Sequence, residues 1–143
     1  MIYTAQTKKA LKLCFEAHKN QVDKAGLPYV FHPFHLAEQM KDEASTVAAL
    51  LHDVVEDTDY TLADLRVIGF SAEVLSALAL LTHDAAVPYP EYIRQLSRNP
   101  IARAVKLADL AHNSDLSRLE QITDADRERA EKYQEAIRLL NKI

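Results

Sequence analysis

An all-α fold, a compact bundle of about seven to eight helices, is what the sequence predicts. Three observations carry that expectation. Apolar residues recur at helical spacing along nearly the whole chain. Thr, Ser, Asn or Asp stands at the head of most apolar stretches, where a helix start needs a side-chain acceptor. No alternating strand pattern, internal repeat or low-complexity linker interrupts them. The 143 residues suit one core, so residues 1–143 are read as a single domain.

Ala10, Leu13, Cys14, Ala17 and His18 define a first helix from about Thr4 to Lys24, ended by Ala25-Gly26-Leu27-Pro28. A second helix is expected to start near Pro33, since proline suits a first turn, and carries Leu36, Ala37 and Met40. A third, capped by Ser45 or Thr46, is expected to run unbroken to about Asp57. Thr61-Leu62-Ala63-Asp64 has the form of a capping box and opens a short helix. Ser71 caps the next, Ala72 to about Thr82. Pro88 and Pro90 are read as bracketing a loop before a helix over Glu91 to Arg98. Asn99-Pro100 opens another, to about Leu116, and the last runs from Asp124 or Asp126 to near Leu140.

Composition narrows the function. The net charge of -4 supplies no global basic field for a nucleic-acid polymer, although a local pocket for a small anion remains open. Cys14 is the only cysteine, so no intrachain disulfide can form, which fits a cytoplasmic location. Met1 to Lys9 lacks the apolar stretch of a signal peptide. No apolar run approaches the ~20 residues of a membrane-spanning helix, so no membrane association is expected. With only Gly26 and Gly69, the chain cannot build a phosphate-cradling glycine loop or a dinucleotide fingerprint. Phosphates would have to be handled by a metal and side chains.

The chemistry concentrates in Thr46-Val47-Ala48-Ala49-Leu50-Leu51-His52-Asp53-Val54-Val55-Glu56-Asp57. The first half is apolar nearly all round, the mark of a buried helix. Ionisable groups then appear at i, i+1, i+4 and i+5, positions that share one face. A charged helix end is commonly just solvated. Here, however, the charges follow directly on a buried segment, and no Lys or Arg accompanies the three carboxylates, which repel unless a cation sits among them. His52 and Asp53 supply two ligands. Either His32, at the Phe31-His32-Pro33 junction, or His35 can add a third; each can equally be a hydrogen-bonded, partly buried histidine. Asp109, among Ile101, Ala104, Val105 and Ala108, needs a partner or a metal, and Lys106 three residues earlier could be that partner.

Ala17-His18, Gly26 with Pro28-Tyr29, His32-Pro33, the run Leu50 to Thr58, and Lys106-Leu107-Ala108-Asp109 with His112-Asn113 occur in that order. Together they closely resemble the hydrolase domain of RelA/SpoT-type enzymes, and especially the small stand-alone alarmone hydrolases. The likeness covers about His18 to Asn113. It implies an all-α HD-domain fold and one metal, usually manganese, held by His32, His52, Asp53 and Asp109. It implies that Glu56 and Asp57 act on the nucleophilic water, and that the reaction is hydrolysis of the 3′-pyrophosphate of a ppGpp-like nucleotide.

Two imidazoles and two carboxylates suit manganese, iron or zinc; magnesium prefers oxygen ligands. Lys24 and Lys106 can neutralise a phosphate chain, and Asn113 can hydrogen-bond a sugar or phosphate, giving three substrate-binding candidates. The substrate side departs from the family in two places. Asn20 and Asp23 stand where the family often has Gly and Arg, and Leu110-Ala111 where it often has Arg-Leu. That arginine is associated with the nucleobase, so Asp23 predicts weaker discrimination between guanine and adenine. With no synthetase segment following, hydrolysis alone is expected.

Cys14 reads as a core thiol, His18 as structural, and His112 as close enough to Asp109 to orient a ligand. His83 has no constellation of its own. Lys132 and Tyr133 read as a solvated helix face, and Arg127 and Arg129 as exposed ion pairs with neighbouring acids. The competing readings are an HD-domain phosphohydrolase for another nucleotide, kept open by Asp23, and a non-catalytic nucleotide-binding module, against which Glu56 and Asp57 argue. The oligomeric state is left open.

Overall fold

The computed structural model describes all residues, Met1–Ile143. It contains α1 (Ala5–His18), α2 (Phe31–Glu38), α3 (Glu43–Leu51), α4 (Val54–Asp57), α5 (Leu62–Ile68), α6 (Ala72–Leu81), α7 (Tyr89–Ser97), α8 (Pro100–Asn113), a 3-10 turn at Leu116–Arg118, and α9 (Asp124–Lys142). There is no sheet, only an isolated antiparallel bridge between Val22 and Pro28. The all-α expectation holds.

The centre is α3. Val47, Ala48, Ala49, Leu50 and Leu51 are buried without exception, and α1, α2, α6 and α8 pack around them. Asp42, not Ser45 or Thr46, caps this helix: its carboxylate accepts from the Ser45 amide at 2.8 Å and the Ser45 hydroxyl at 2.7 Å. Ser45 and Thr46 are buried instead, with the Thr46 hydroxyl donating to the Asp42 carbonyl at 2.6 Å.

The helix expected to continue to Asp57 breaks at His52-Asp53, which is why α3 and α4 count separately. A continuing helix would offer the Ala49 carbonyl to the Asp53 amide. That carbonyl accepts from His52 Nδ1 at 2.7 Å, and Asp53 sits at φ -100°, ψ -3°. The break re-aims the chain as it leaves the core.

The first helix also ends early, at His18 rather than Lys24. Asp23 organises a loop instead, its Oδ1 accepting from the Ala25 and Leu27 amides at 2.9 and 3.0 Å, a local alternative to helix. Gly26 turns that loop at φ 80°. Other boundaries shift for simple reasons. Pro33 is the third residue of α2 and Pro90 the second of α7, both first-turn positions whose missing amide proton is not needed. The α8 helix stops at Asn113, short of Leu116, and Thr123 caps α9 in a reciprocal box with Asp126. The box at Thr61 and Asp64 and the caps at Ser71 and Asn99 form as read.

Asp42→Ala should destabilise the protein by about 1 kcal/mol, the usual cost of a lost acceptor cap. The Ser45 bonds hold the Asp42 carboxyl below the usual carboxylate range, so its contribution is present above that range and fades as pH falls through the depressed value. Urea unfolding of Asp42→Ala and Asp42→Asn at pH 7 checks this; equal losses for both would rule out the cap.

Candidate functional site

Three elements converge at the α3–α4 break. The start of α2 presents His32, the break itself His52 and Asp53, and α8 Asp109. One donor atom from each of His32, His52 and Asp109 lies within 4.8 Å of the others, and all three residues are buried. His32 Nε2 is 2.9 Å from Asp109 Oδ1, and His52 Nε2 is 3.5 Å from that same oxygen. Asp53, the fourth expected ligand, stands beside this trio rather than within it, its Oδ2 3.0 Å from His52 Nε2 and 3.9 Å from His32 Nε2. His35 is left out: it is exposed on α2, its ring 4.2 Å from that of His112.

The donor chemistry fits a cation. A carbonyl oxygen can only accept, so His52 Nδ1, bonded to the Ala49 carbonyl, carries a proton. In the neutral ring Nε2 is then a bare lone pair. It is buried and has no hydrogen-bond partner, for although Asp53 Oδ2 is near, the directions do not make a bond. A lone pair facing carboxylates across a few ångströms is unfavourable unless a proton or a metal lies between them. Without a metal, burial depresses the His52 imidazole, but Asp53 and Asp109 outweigh it and raise the group well above its usual range.

Asp109 divides its oxygens. Oδ2 takes Lys106 Nζ at 3.0 Å, and Oδ1 takes Asn113 Nδ2 at 2.9 Å and faces the histidines. Burial would raise its carboxyl, yet Lys106 and the histidines hold it well below the carboxylate range. The ion pair with Lys106 and the approach to the imidazoles therefore coexist. Lys106 is committed: burial lowers it, Asp109 raises it further, and its ammonium also lies 5.4 Å over the Tyr92 ring.

Glu56 and Asp57 sit one turn further on, in α4. Glu56 Oε1 accepts from the His83 amide at 3.1 Å. The Asp57 carbonyl accepts from Gln21 Nε2 at 3.2 Å, and Gln21 Oε1 in turn contacts His18 Nδ1 at 2.8 Å. Desolvation, then Asp53 and Glu56, raise the Asp57 carboxyl to about 6. Tyr29 donates its hydroxyl to Asp53, a role its sequence position does not announce.

A cavity of about 280 Å³ adjoins the cluster, sharing Tyr29 and Asn113 as walls. Lys24, Arg118, Arg129 and Tyr133 line it. So does Asp23, which pairs with Arg118 at 3.2 Å. Arg118 is the residue the sequence reading missed. It lies past the last helical pattern before α9, and only the folded chain brings it to Asp23. Lys132 lies 4.1 Å over the Tyr89 ring rather than simply in solvent. Arg127 and Arg129 make the expected pairs with Asp124 and Asp126.

Fold and site together define an all-α hydrolase of the HD-domain class. The solved structure of a metazoan ortholog of SpoT, described as hydrolysing ppGpp, superposes with a TM-score of 0.77 at 27% identity, covering 98% of this chain and 88% of that one. Among curated relatives, the guanosine-3′,5′-bis(diphosphate) 3′-pyrophosphohydrolase MESH1 of Danio rerio is 36% identical over 80% of this chain and 71% of its own length. The human enzyme of that name is 37% identical with the same coverage. The mouse one is 38% identical over 73% of this chain. The chain belongs to this MESH1 and SpoT-type hydrolase family. It spans 66% of the mouse relative and 14% of a Streptomyces antibioticus GTP pyrophosphokinase, to which it is 35% identical. No family model matches it.

The Asp57 carboxyl should titrate near 6 in metal-free protein. Its raised value means the neutral form is favoured in the fold, so Asp57 opposes folding above that pH and ceases to as pH falls below its usual range. A diamagnetic cation in the cluster should move the midpoint down. Carbon-detected NMR titration with and without zinc measures both; a metal-free midpoint in the ordinary carboxylate range would sink the expectation.

Proposed function

We infer that this chain hydrolyses the 3′-pyrophosphate of a guanosine 3′,5′-bis(diphosphate)-type nucleotide, with residues 1–143 forming one hydrolase domain. The observation that carries the reading is the unpartnered, buried Nε2 of His52 among His32, Asp53 and Asp109. Membership in a family whose curated relatives are named for that reaction supports the substrate. His32, His52, Asp53 and Asp109 would hold one divalent cation; a two-imidazole, two-carboxylate set suits manganese, iron or zinc, and manganese is the choice that the family resemblance supports. Such a cation, when bound, acidifies water and polarises a phosphoryl oxygen.

The chain's own residues supply the rest. Asp57, with a carboxyl near 6, is poised to take a proton from water at neutral pH. Glu56, tethered to the His83 amide, holds the same face beside it. Water attacks the phosphorus attached to the 3′ oxygen; the 3′ O–P bond breaks. The water oxygen leaves in pyrophosphate, its proton goes to the carboxylate, and the 3′ oxygen takes up a proton. Lys24, Arg118 and Arg129 line the cavity together with Asp23, Asp115 and Asp126. Arg118 is paired with Asp23 and Arg129 with Asp126, so Lys24 is the cation best placed to meet a phosphate, and Asn113 stands between cavity and cluster. Lys106 acts on the substrate chiefly through Asp109. The substrate is a small nucleotide rather than a polymer. No helix is long and apolar enough to cross a membrane, and the single reduced, buried Cys14 suits a cytoplasmic setting.

A second reading, hydrolysis of a different nucleotide, is favoured by one observation. Asp23 is fully engaged by the Ala25 and Leu27 amides and by Arg118, so it offers little to a base. The guanidinium groups in the cavity come instead from Arg118 and Arg129.

Asp53→Ala should abolish bound metal and activity together while the far-ultraviolet spectrum stays helical. Glu56→Ala or Asp57→Ala should keep the metal and lose about 10²–10⁴-fold in kcat. Metal retention by calorimetry and turnover with manganese-loaded protein separate these; parent-like kcat in both α4 variants would remove the water-handling role.

Arg118→Met should change the ratio of kcat/KM for the guanosine and adenosine bispyrophosphates, because base contacts alter transition-state binding selectively. Asp23→Arg should change it too, with urea unfolding as a control for the lost loop bonds. Turnover of neither nucleotide, alongside turnover of another, would establish the second reading.

A further inference from the structure

The ring of His112 is not among the four side chains assigned to the cation, yet it makes the shortest polar contact to one of them, His32. Its Nδ1 is 2.7 Å from His32 Nδ1, and the two rings are within 9° of parallel with centroids 5.0 Å apart. The placement is held from several sides. His112 lies on α8 one turn past Asp109, its carbonyl accepts from Arg118 Nη1 at 3.0 Å, and the His35 ring covers it at 4.2 Å.

Only one of two nitrogens in such a contact can bring the proton. If His112 donates, His32 Nδ1 must accept, and His32 then carries its proton on Nε2, directed at Asp109 Oδ1 2.9 Å away. That arrangement blocks Nε2 as a ligand. If His32 donates, Nδ1 carries the proton, and Nε2 turns a bare lone pair toward His52 and Asp109. A ligating histidine needs the second arrangement, and its other N–H is almost always fixed by an acceptor such as a carboxylate, a carbonyl or water. Here no carboxylate or carbonyl is bonded to His32 Nδ1; the partner is the second imidazole.

We propose that His112 is a positioning residue that accepts the His32 Nδ1 proton and thereby makes Nε2 the ligating nitrogen. The proposal rests on the metal reading of the site, and it assigns an imidazole the work that an oxygen acceptor ordinarily does. His35 supports it as a cover over His112 rather than as a ligand.

Two substitutions separate acceptor from ring. His112→Phe keeps a flat ring and removes the acceptor; His112→Asn removes the ring and places an oxygen near the Nδ1 position. Affinity for manganese and zinc is measured by calorimetry on the purified 143-residue chain, with thermal melts as a folding check. His112→Phe should lose about 10–100-fold in metal affinity, and His112→Asn should stay near the parent. In the zinc-loaded parent, two-bond nitrogen–proton NMR should show His32 protonated at Nδ1 and coordinated through Nε2, a readout that stands even if a variant fails to fold. Undiminished affinity in a folded His112→Phe, or equal losses in both variants, would overturn the proposal while leaving the metal site standing. So would His32 coordination through Nδ1. A parent that binds neither ion overturns the metal reading and this inference with it.

Discussion

The fold is organised around the end of a single buried helix. α3 is enclosed by α1, α2, α6 and α8, and it delivers His52 and Asp53 to the interior at the point where its own hydrogen-bond ladder stops. The His52–Ala49 bond does two things at once. It engages the carbonyl that a continuing helix would offer to Asp53, and by placing the ring proton on Nδ1 it leaves Nε2 bare. The apolar run before it keeps water from satisfying that nitrogen. α2 and α8 then bring in His32 and Asp109 because they pack directly on α3.

Much of this was legible in the residues, and the reasons differ from place to place. Helix starts were readable where a hydroxyl or amide precedes the helix by one residue, as at Thr61, Ser71 and Asn99. The pattern misled at α3 because Asp42, Ser45 and Thr46 are all good caps in one short stretch, and burial decided among them. The break at His52 was invisible to periodicity, since the face stays continuous on either side. The His-Asp pair and its carboxylates showed themselves as charges at the end of an apolar segment. His32 and His35 could not be told apart by spacing, whereas in three dimensions one is buried in the cluster and the other lies outside.

The substrate side was least readable because its residues meet only in the folded chain. Asp23 looks like a lost arginine in one dimension. In three it is a loop organiser whose second oxygen fixes Arg118, ninety-five positions away. The cavity takes its guanidinium groups from Arg118 and Arg129, both far along the chain from Asp23. Tyr29 is a similar case: its hydroxyl serves Asp53, and nothing in the neighbouring sequence signals that a phenol is wanted there.

Cys14 stands in α1 as part of the hydrophobic core, and its setting decides how the chain's only thiol behaves. Burial, with the Asp53 charge adding to it, pushes the thiol up to about 12. Thiols bind soft metals and react with oxidants and alkylating reagents as thiolates. A sulfur that stays protonated is withheld from both. The chain's one soft donor is thus folded into the apolar core as a protonated thiol, a packing group rather than a nucleophile.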